Sequence, residues 1–143
     1  MNKIILLVFC TLAISCSTSE TNISSLNEQE RWNHRAENTE IIRDDFGIPH
    51  IYGKTDADAV FGMLYAQCED DFNRVERNYI WAIGRLAEVE GKEAIYSDLR
   101  ANLYMTKEEA ILNYEKSPKW LQELCVAFAD GINFYLKNHP EVT

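Results

Sequence analysis

The chain has 143 residues, 46% of them hydrophobic and 26% charged, with a net charge of −9. That length supports one core of ordinary size rather than two, and the composition is globular, neither disordered nor collagen-like. The acidic balance argues against nucleic acid and against anionic headgroups as partners, while leaving a small-molecule substrate open.

Lys3, the apolar run from Ile4 to Ile14 and the pair Ser15-Cys16 read as a secretory signal over residues 1–15. The run is shorter than the roughly 20 residues a membrane-spanning helix needs. A small residue followed by Cys16 resembles the lipobox of bacterial lipoproteins, in which the cysteine becomes the lipidated first residue and the bilayer a partner. Ala13-Ile14 depart from the usual lipobox, and an ordinary cleaved signal is the alternative. The protein is then exported, either membrane-anchored or periplasmic. Residues 16–38 read as a lipidated tether, Ser/Thr/Asn-rich as far as Asn27.

The folded part is expected over 39–143. Thr39-Glu40-Ile41-Ile42-Arg43 and Ile48-Pro49-His50-Ile51-Tyr52 are strand-length runs around Asp44-Asp45-Phe46-Gly47, a hairpin signal. Pro49 cannot donate to a ladder, so its side of the second strand faces an edge, a bulge or solvent. Thr55 with Asp58 three residues on forms a relative of the capping box. The apolar stripe that follows, from Ala57 through Phe61, Leu64, Cys68, Phe72 and Tyr79 to Leu86, predicts one long helix or two in line. Gly62 inside that stripe points to a close neighbouring element, and Gly84 and Gly91 punctuate its end.

Thr106 and Glu109 form a second capping box and open a short helix to about Glu115. Ser117-Pro118 is expected to cap the last helix, with proline at its first position. Its stripe is Leu121, Leu124, Cys125, Phe128, Ile132 and Leu136, and His139-Pro140 ends it. The sum is α+β: one hairpin followed mostly by helices. A lone hairpin is not stable by itself, so it calls for a sheet that these residues do not supply.

Glu69-Asp70-Asp71, with Glu76 beyond, is the densest carboxylate run. Calcium needs a loop that wraps the ion, whereas consecutive helical residues point about 100° apart. A solvated face with Arg74 and Arg77 as partners is the expectation, with a buried Asp70 acceptor as the functional variant. His50 is expected to be packed and hydrogen-bonded. Cys68 and Cys125, each on an apolar stripe, are expected as small core residues, with a disulfide as the alternative. No zinc spacing, serine elbow, HExxH or phosphate loop occurs. From the residues alone there is no catalytic or metal site.

Arg43-Asp44-Asp45-Phe46-Gly47-Ile48-Pro49-His50-Ile51 resembles the opening Arg-Asp-x-x-Gly-aliphatic-Pro-His-Ile of the penicillin acylase family, which includes acyl-homoserine-lactone and cephalosporin acylases. Four further stretches follow in family order: Phe61 to Gln67, Cys68 to Phe72 with Glu76, Gly84 to Gly91, and Ala129-Asp130-Gly131-Ile132-Asn133. The resemblance spans about residues 39 to 137. Asp71 departs from it by replacing the family's arginine, with Arg74 as the nearby substitute, and Cys68 replaces alanine. The departure at Asp71 leans towards the aculeacin and homoserine-lactone acylase side.

What the resemblance implies is part of an N-terminal-nucleophile hydrolase of αββα fold, made as a self-cleaving precursor. A serine at the start of the β-chain, with its own α-amine as base, attacks the amide of a small N-acyl compound. In that reading the β-chain is the partner, and a calcium ion belongs to the full enzyme rather than to this segment. No catalytic or metal residue carries over to this chain, whose matched residues are scaffold. A self-contained helical lipoprotein serving as a binding module is the alternative.

Overall fold

The structure is a computed structural model, and residues 23–142 are described. The expected signal and Cys16 lie outside the described residues. Folding starts earlier than the expected tether allows, because Glu28–Glu37 is a helix, α1. Asn27 and Glu30 form a reciprocal capping box at its start, with the Glu30 N–H donating to Asn27 Oδ1 at 2.9 Å. The stretch reads as tether because its sequence, EQERWNHRAE, has almost no apolar stripe. What α1 buries instead is an arginine, Arg35.

Strands β1 (Thr39–Arg43) and β2 (Pro49–Gly53) pair antiparallel, with Ile41 opposite Ile51 and Arg43 opposite Pro49. Asp44 builds the turn: its Oδ1 accepts from the N–H groups of Phe46 and Ile48, both at 2.9 Å. Gly47 completes it at φ +80, a left-handed conformation that favours glycine. Among the described residues the sheet has two strands.

Helix α2 (Asp56–Ala82) opens on the expected Thr55/Asp58 capping box and is two helices in line, broken at Asp71 (φ −163, ψ 81). Asp71 restarts the second half by accepting the Arg74 N–H at 3.0 Å. This is the role of the aspartate that departs from the family pattern. Gly62 is the expected close approach: a Cβ there would lie 2.5 Å from Thr39 Cγ2 and 2.9 Å from Ile51 Cγ2. The hairpin therefore lies directly on α2.

A short helix α3 (Ala87–Glu90), a 3₁₀ turn at Lys92–Ala94 and helix α4 (Ile95–Tyr104) follow. The Asp98 carboxylate of α4 accepts the Leu86 and Ala87 N–H groups at 2.8 Å each, tying the two helices together. Helix α4 was not expected, since its large apolar residues Tyr96, Leu99 and Leu103 are exposed and mark no buried stripe. Helix α5 (Lys107–Lys116) matches the second capping box.

Helix α6 (Lys119–Asn138) packs along α2. Its start differs from expectation: Ser117 Oγ donates back to Tyr114 O at 2.6 Å and so closes α5, while Pro118 is the N-cap. The core joins Ala57 and Phe61 to Ala127, with Ala36, Val60, Leu124 and Phe134 around them. A row of rings extends it, with Phe61 against Phe134 (5.5 Å between centroids) and Phe72 stacked on Tyr135 (5.7 Å).

Cys68 is buried in this core, as expected, but Cys125 is exposed, and both are free thiols. The first half of α6 is largely uncovered, so its apolar stripe does not imply burial there. Burial pushes the Cys68 thiol up to about 11, since a thiolate would lose its hydration. Brief alkylation at pH 8 should therefore label Cys125 first, with Cys68 labelled only on unfolding; peptide mass spectrometry checks the order.

Candidate functional site

The most highly built polar site is a buried charge cluster where α1, α2 and α6 meet. Two arginines one helical turn apart on α1 reach two aspartates on different helices. Arg31 Nε and Nη2 donate to both Asp130 oxygens at 2.7 Å, a bidentate pair. Arg35 lies between the carboxylates, its Nε 3.3 Å from Asp130 Oδ2 and its Nη1 3.4 Å from Asp58 Oδ1. Trp32 Nε1 donates to Asp130 Oδ1 at 2.8 Å. Asp58 also accepts from Thr55 Oγ1 at 2.8 Å, so one carboxylate both caps α2 and pairs with α1. Thr39 Oγ1 donates to Arg35 O at 2.8 Å, bringing β1 into the same node.

The Arg35, Asp58 and Asp130 side chains are each no more than 3% exposed. Two guanidinium and two carboxylate charges balance, which is the condition for burying them. The Asp130 hydrogen bonds hold the Arg31 guanidinium above its ordinary range, so no proton is available there. No buried side-chain nitrogen or oxygen among the described residues lacks a partner. A cluster whose buried charges are paired with one another in this way is a structural clamp.

The carboxylate run is a solvated face, as expected, and the expected Asp71–Arg74 pair forms, while the other partners differ. Glu69 and Asp70 both pair with Arg43 of the hairpin, at 3.0 and 2.9 Å, and Asp71 pairs with Arg74 at 3.1 Å. Arg77 instead reaches Glu90. Asp70 is half exposed and not a buried acceptor. Because these carboxylates meet guanidinium groups and do not converge, they do not fit calcium, and no group of three acidic, His or Cys residues does so among the described residues.

His50 is exposed rather than packed, with Nε2 3.2 Å from Asp44 Oδ2. The Ile48 N–H, then His50 and Phe46, hold the Asp44 carboxyl below the usual range, so this pair serves the turn. Five described hydroxyls are also committed: Thr39, Thr55 and Thr106 to capping and tying helices, Ser97 to the Trp81 ring N–H and Ser117 to Tyr114 O. None of them stands beside a histidine base. Sequence reasoning named Asp58 and Asp130 but missed their partners. The available signal was Asn27 with Glu30 three residues on, followed by arginines four apart.

A hairpin laid on α2, which itself packs along α6, with a polar centre whose described groups are paired with one another, defines a piece of scaffold. The same fold occurs in a thermostable penicillin G acylase from Alcaligenes faecalis. That structure overlays with a TM-score of 0.63 at 22% identity, covering 72% of this chain and 55% of that one. The penicillin amidase family pattern matches residues 38–143, and the chain belongs to that family. Acyl-homoserine lactone acylase QuiP of Pseudomonas fluorescens Pf0-1 is 30% identical over 106 residues, 74% of this chain and 13% of the relative. QuiP of Pseudomonas aeruginosa PAO1 is 31% identical over 106 residues, 74% of this chain and 12% of the relative. Penicillin acylase 2 proenzyme of Pseudomonas sp. SE83 is 28% identical over 96 residues, 67% of this chain and 12% of that relative. The chain thus spans 12–13% of the length of these curated relatives. Arg31 and Arg35 precede the family match, whereas Asp58 and Asp130 lie inside it.

Proposed function

We propose that this chain is the N-terminal part of the α-side of an acylase precursor, a hydrolase of the amide bond in N-acyl compounds such as acyl-homoserine lactones or β-lactam side chains. The carrying observation is the family match over residues 38–143. The catalytic emptiness of the described polar groups is consistent with it. The chain alone is inactive in this reading, and the reaction belongs to a companion β-chain whose N-terminal serine attacks the amide carbonyl. Its own α-amine takes the hydroxyl proton and passes it to the amine that leaves as the amide C–N bond breaks, and water then releases the acid from the acyl-enzyme. Donors around the carbonyl hold the developing negative charge. Calcium, where the full enzyme holds it, would be bound by residues outside this segment.

Export and lipidation at Cys16 belong to the same proposal. No described helix is long and apolar enough to cross a membrane, so a bilayer partner would be reached through the lipid. The test is hydrolysis of a phenylacetyl-anilide and of an N-acyl-homoserine lactone. The chain alone is expected to give no more product than buffer. Co-expression with the Ser-initiated companion chain is expected to give hydrolysis, abolished when that serine is replaced by alanine. Hydrolysis by this chain alone would overturn the reading, and cooperative melting as an inactive monomer that ignores the companion would favour a binding module.

A further inference from the structure

The second half of α2 and the later turns of α6 border an apolar trough of about 420 Å³, lined by no residue of the buried cluster or the hairpin. Phe72, Glu76, Tyr79 and Ile80 recur at three- and four-residue steps along α2, and Ile132 and Leu136 stand across from them on α6. Each helix therefore turns one face to the trough. Phe72, stacked on Tyr135, closes one end. The volume falls in the range of small-molecule sites, which are mostly apolar with a few polar groups that orient the ligand.

Glu76 is the one charged residue among those lining the trough. Its carboxylate has no hydrogen-bond or ion-pair partner among the described residues, and neither has the Asn133 carboxamide on the same wall of space. The neighbouring cations are taken, Arg74 by Asp71 and Arg77 by Glu90. A lone negative charge over an apolar floor matches a ligand with an apolar body and one positive end. The Phe72 and Tyr79 rings add to this, because cations are drawn to aromatic faces, and the net charge of −9 favours their approach. An anionic ligand would instead face Glu76 without a countercharge. We propose that the trough binds a small organic cation, an ammonium group on an aryl or alkyl body, with the ammonium donating to Glu76 and Asn133 and the body over Ile80, Ile132 and Leu136. The site is distinct from the amide chemistry of the acylase reading and does not rest on it.

Titration of the full chain with 2-phenylethylammonium, followed by the isoleucine methyl signals in NMR spectra, tests it. The Ile80 and Ile132 methyls should shift saturably, with half-saturation on the order of 1 mM for so small a ligand, while the Ile41 and Ile51 methyls of the hairpin stay in place. 2-Phenylethanol, the same body without the charge, should bind at least about threefold more weakly, the scale of an exposed ion pair. 3-Phenylpropionate should not bind. Glu76→Gln should lower the affinity for the cation to that for the alcohol. Glu76 is exposed and holds no other group, so the variant should keep the wild-type melting temperature and hairpin signals. Equal binding of cation and alcohol, a wild-type response from Glu76→Gln, or no saturable shift at about 10 mM overturns the inference. Loss of binding on adding the Ser-initiated companion overturns it too, by giving the trough to a protein segment. Hydrolysis by the two chains together is read separately, so either reading can fall alone.

Discussion

Asp130→Ala should be the most damaging single truncation in this chain, lowering unfolding stability by about 3–5 kcal/mol, the range for breaking a buried pair. It strands two guanidinium groups, one of them wholly buried, and also deprives Trp32 of its acceptor. Arg35→Ala should come next, because Asp130 keeps Arg31 and Trp32 while Asp58 keeps only Thr55 and its own cap. Arg31→Ala should cost least, since Arg31 is partly exposed and Asp130 retains Arg35. Urea unfolding followed by tryptophan fluorescence, with Trp32 in the cluster, measures the order. A cost near 1 kcal/mol for Asp130→Ala, or Arg31→Ala as the worst variant, would show that the cluster is not the clamp described here. Because total stability of a domain this size is commonly about 5–15 kcal/mol, the first variant removes much of it.

Gly131→Ala should destabilise by about 1–3 kcal/mol, the usual cost of overpacking a tight contact. The added methyl would meet Phe61 O at 2.5 Å and Leu64 Cβ at 3.0 Å. A backbone carbonyl in a helix cannot swing aside as a side chain can, so α2 and α6 must separate along their length. Replacing a helical glycine by alanine ordinarily gains up to about 1 kcal/mol of propensity, so the sign of the effect is itself the test. Gly62→Ala meets side-chain methyls of Thr39 and Ile51 instead, which can shift, and should cost less. Thermal melts of the two variants side by side decide it; a stabilised Gly131→Ala would mean that the helices are not in contact there.

The hairpin, the Thr55 and Thr106 caps and the apolar stripe of α2 were legible because each depends on neighbours within a turn or two. Turn residues, hydroxyl caps and three-to-four spacing act locally, and the chain order of five such signals was enough to suggest the family. Gly62 was also readable, as a glycine retained where helix propensity argues against it. By contrast, the sequence of α1 reads as tether. Its burial comes from Arg31 and Arg35 and not from an apolar face, and charge on a short helix ordinarily means solvent. Cys125 fails for the converse reason: its stripe is real, yet nothing among the described residues covers that stretch of α6.

By itself, then, the sequence determined the hairpin, the capped starts of α2 and α5 and the family, since these follow from short-range chemistry and from ordered motifs. The tertiary structure decided which charges are buried, because Asp58 and Asp130 lie 72 positions apart in the chain and only packing brings Arg35 between them. It also decided where α2 presses on the hairpin, at Gly62 against Thr39 and Ile51. Burial and exposure are set by what comes to lie alongside, and that cannot be read from spacing along one chain.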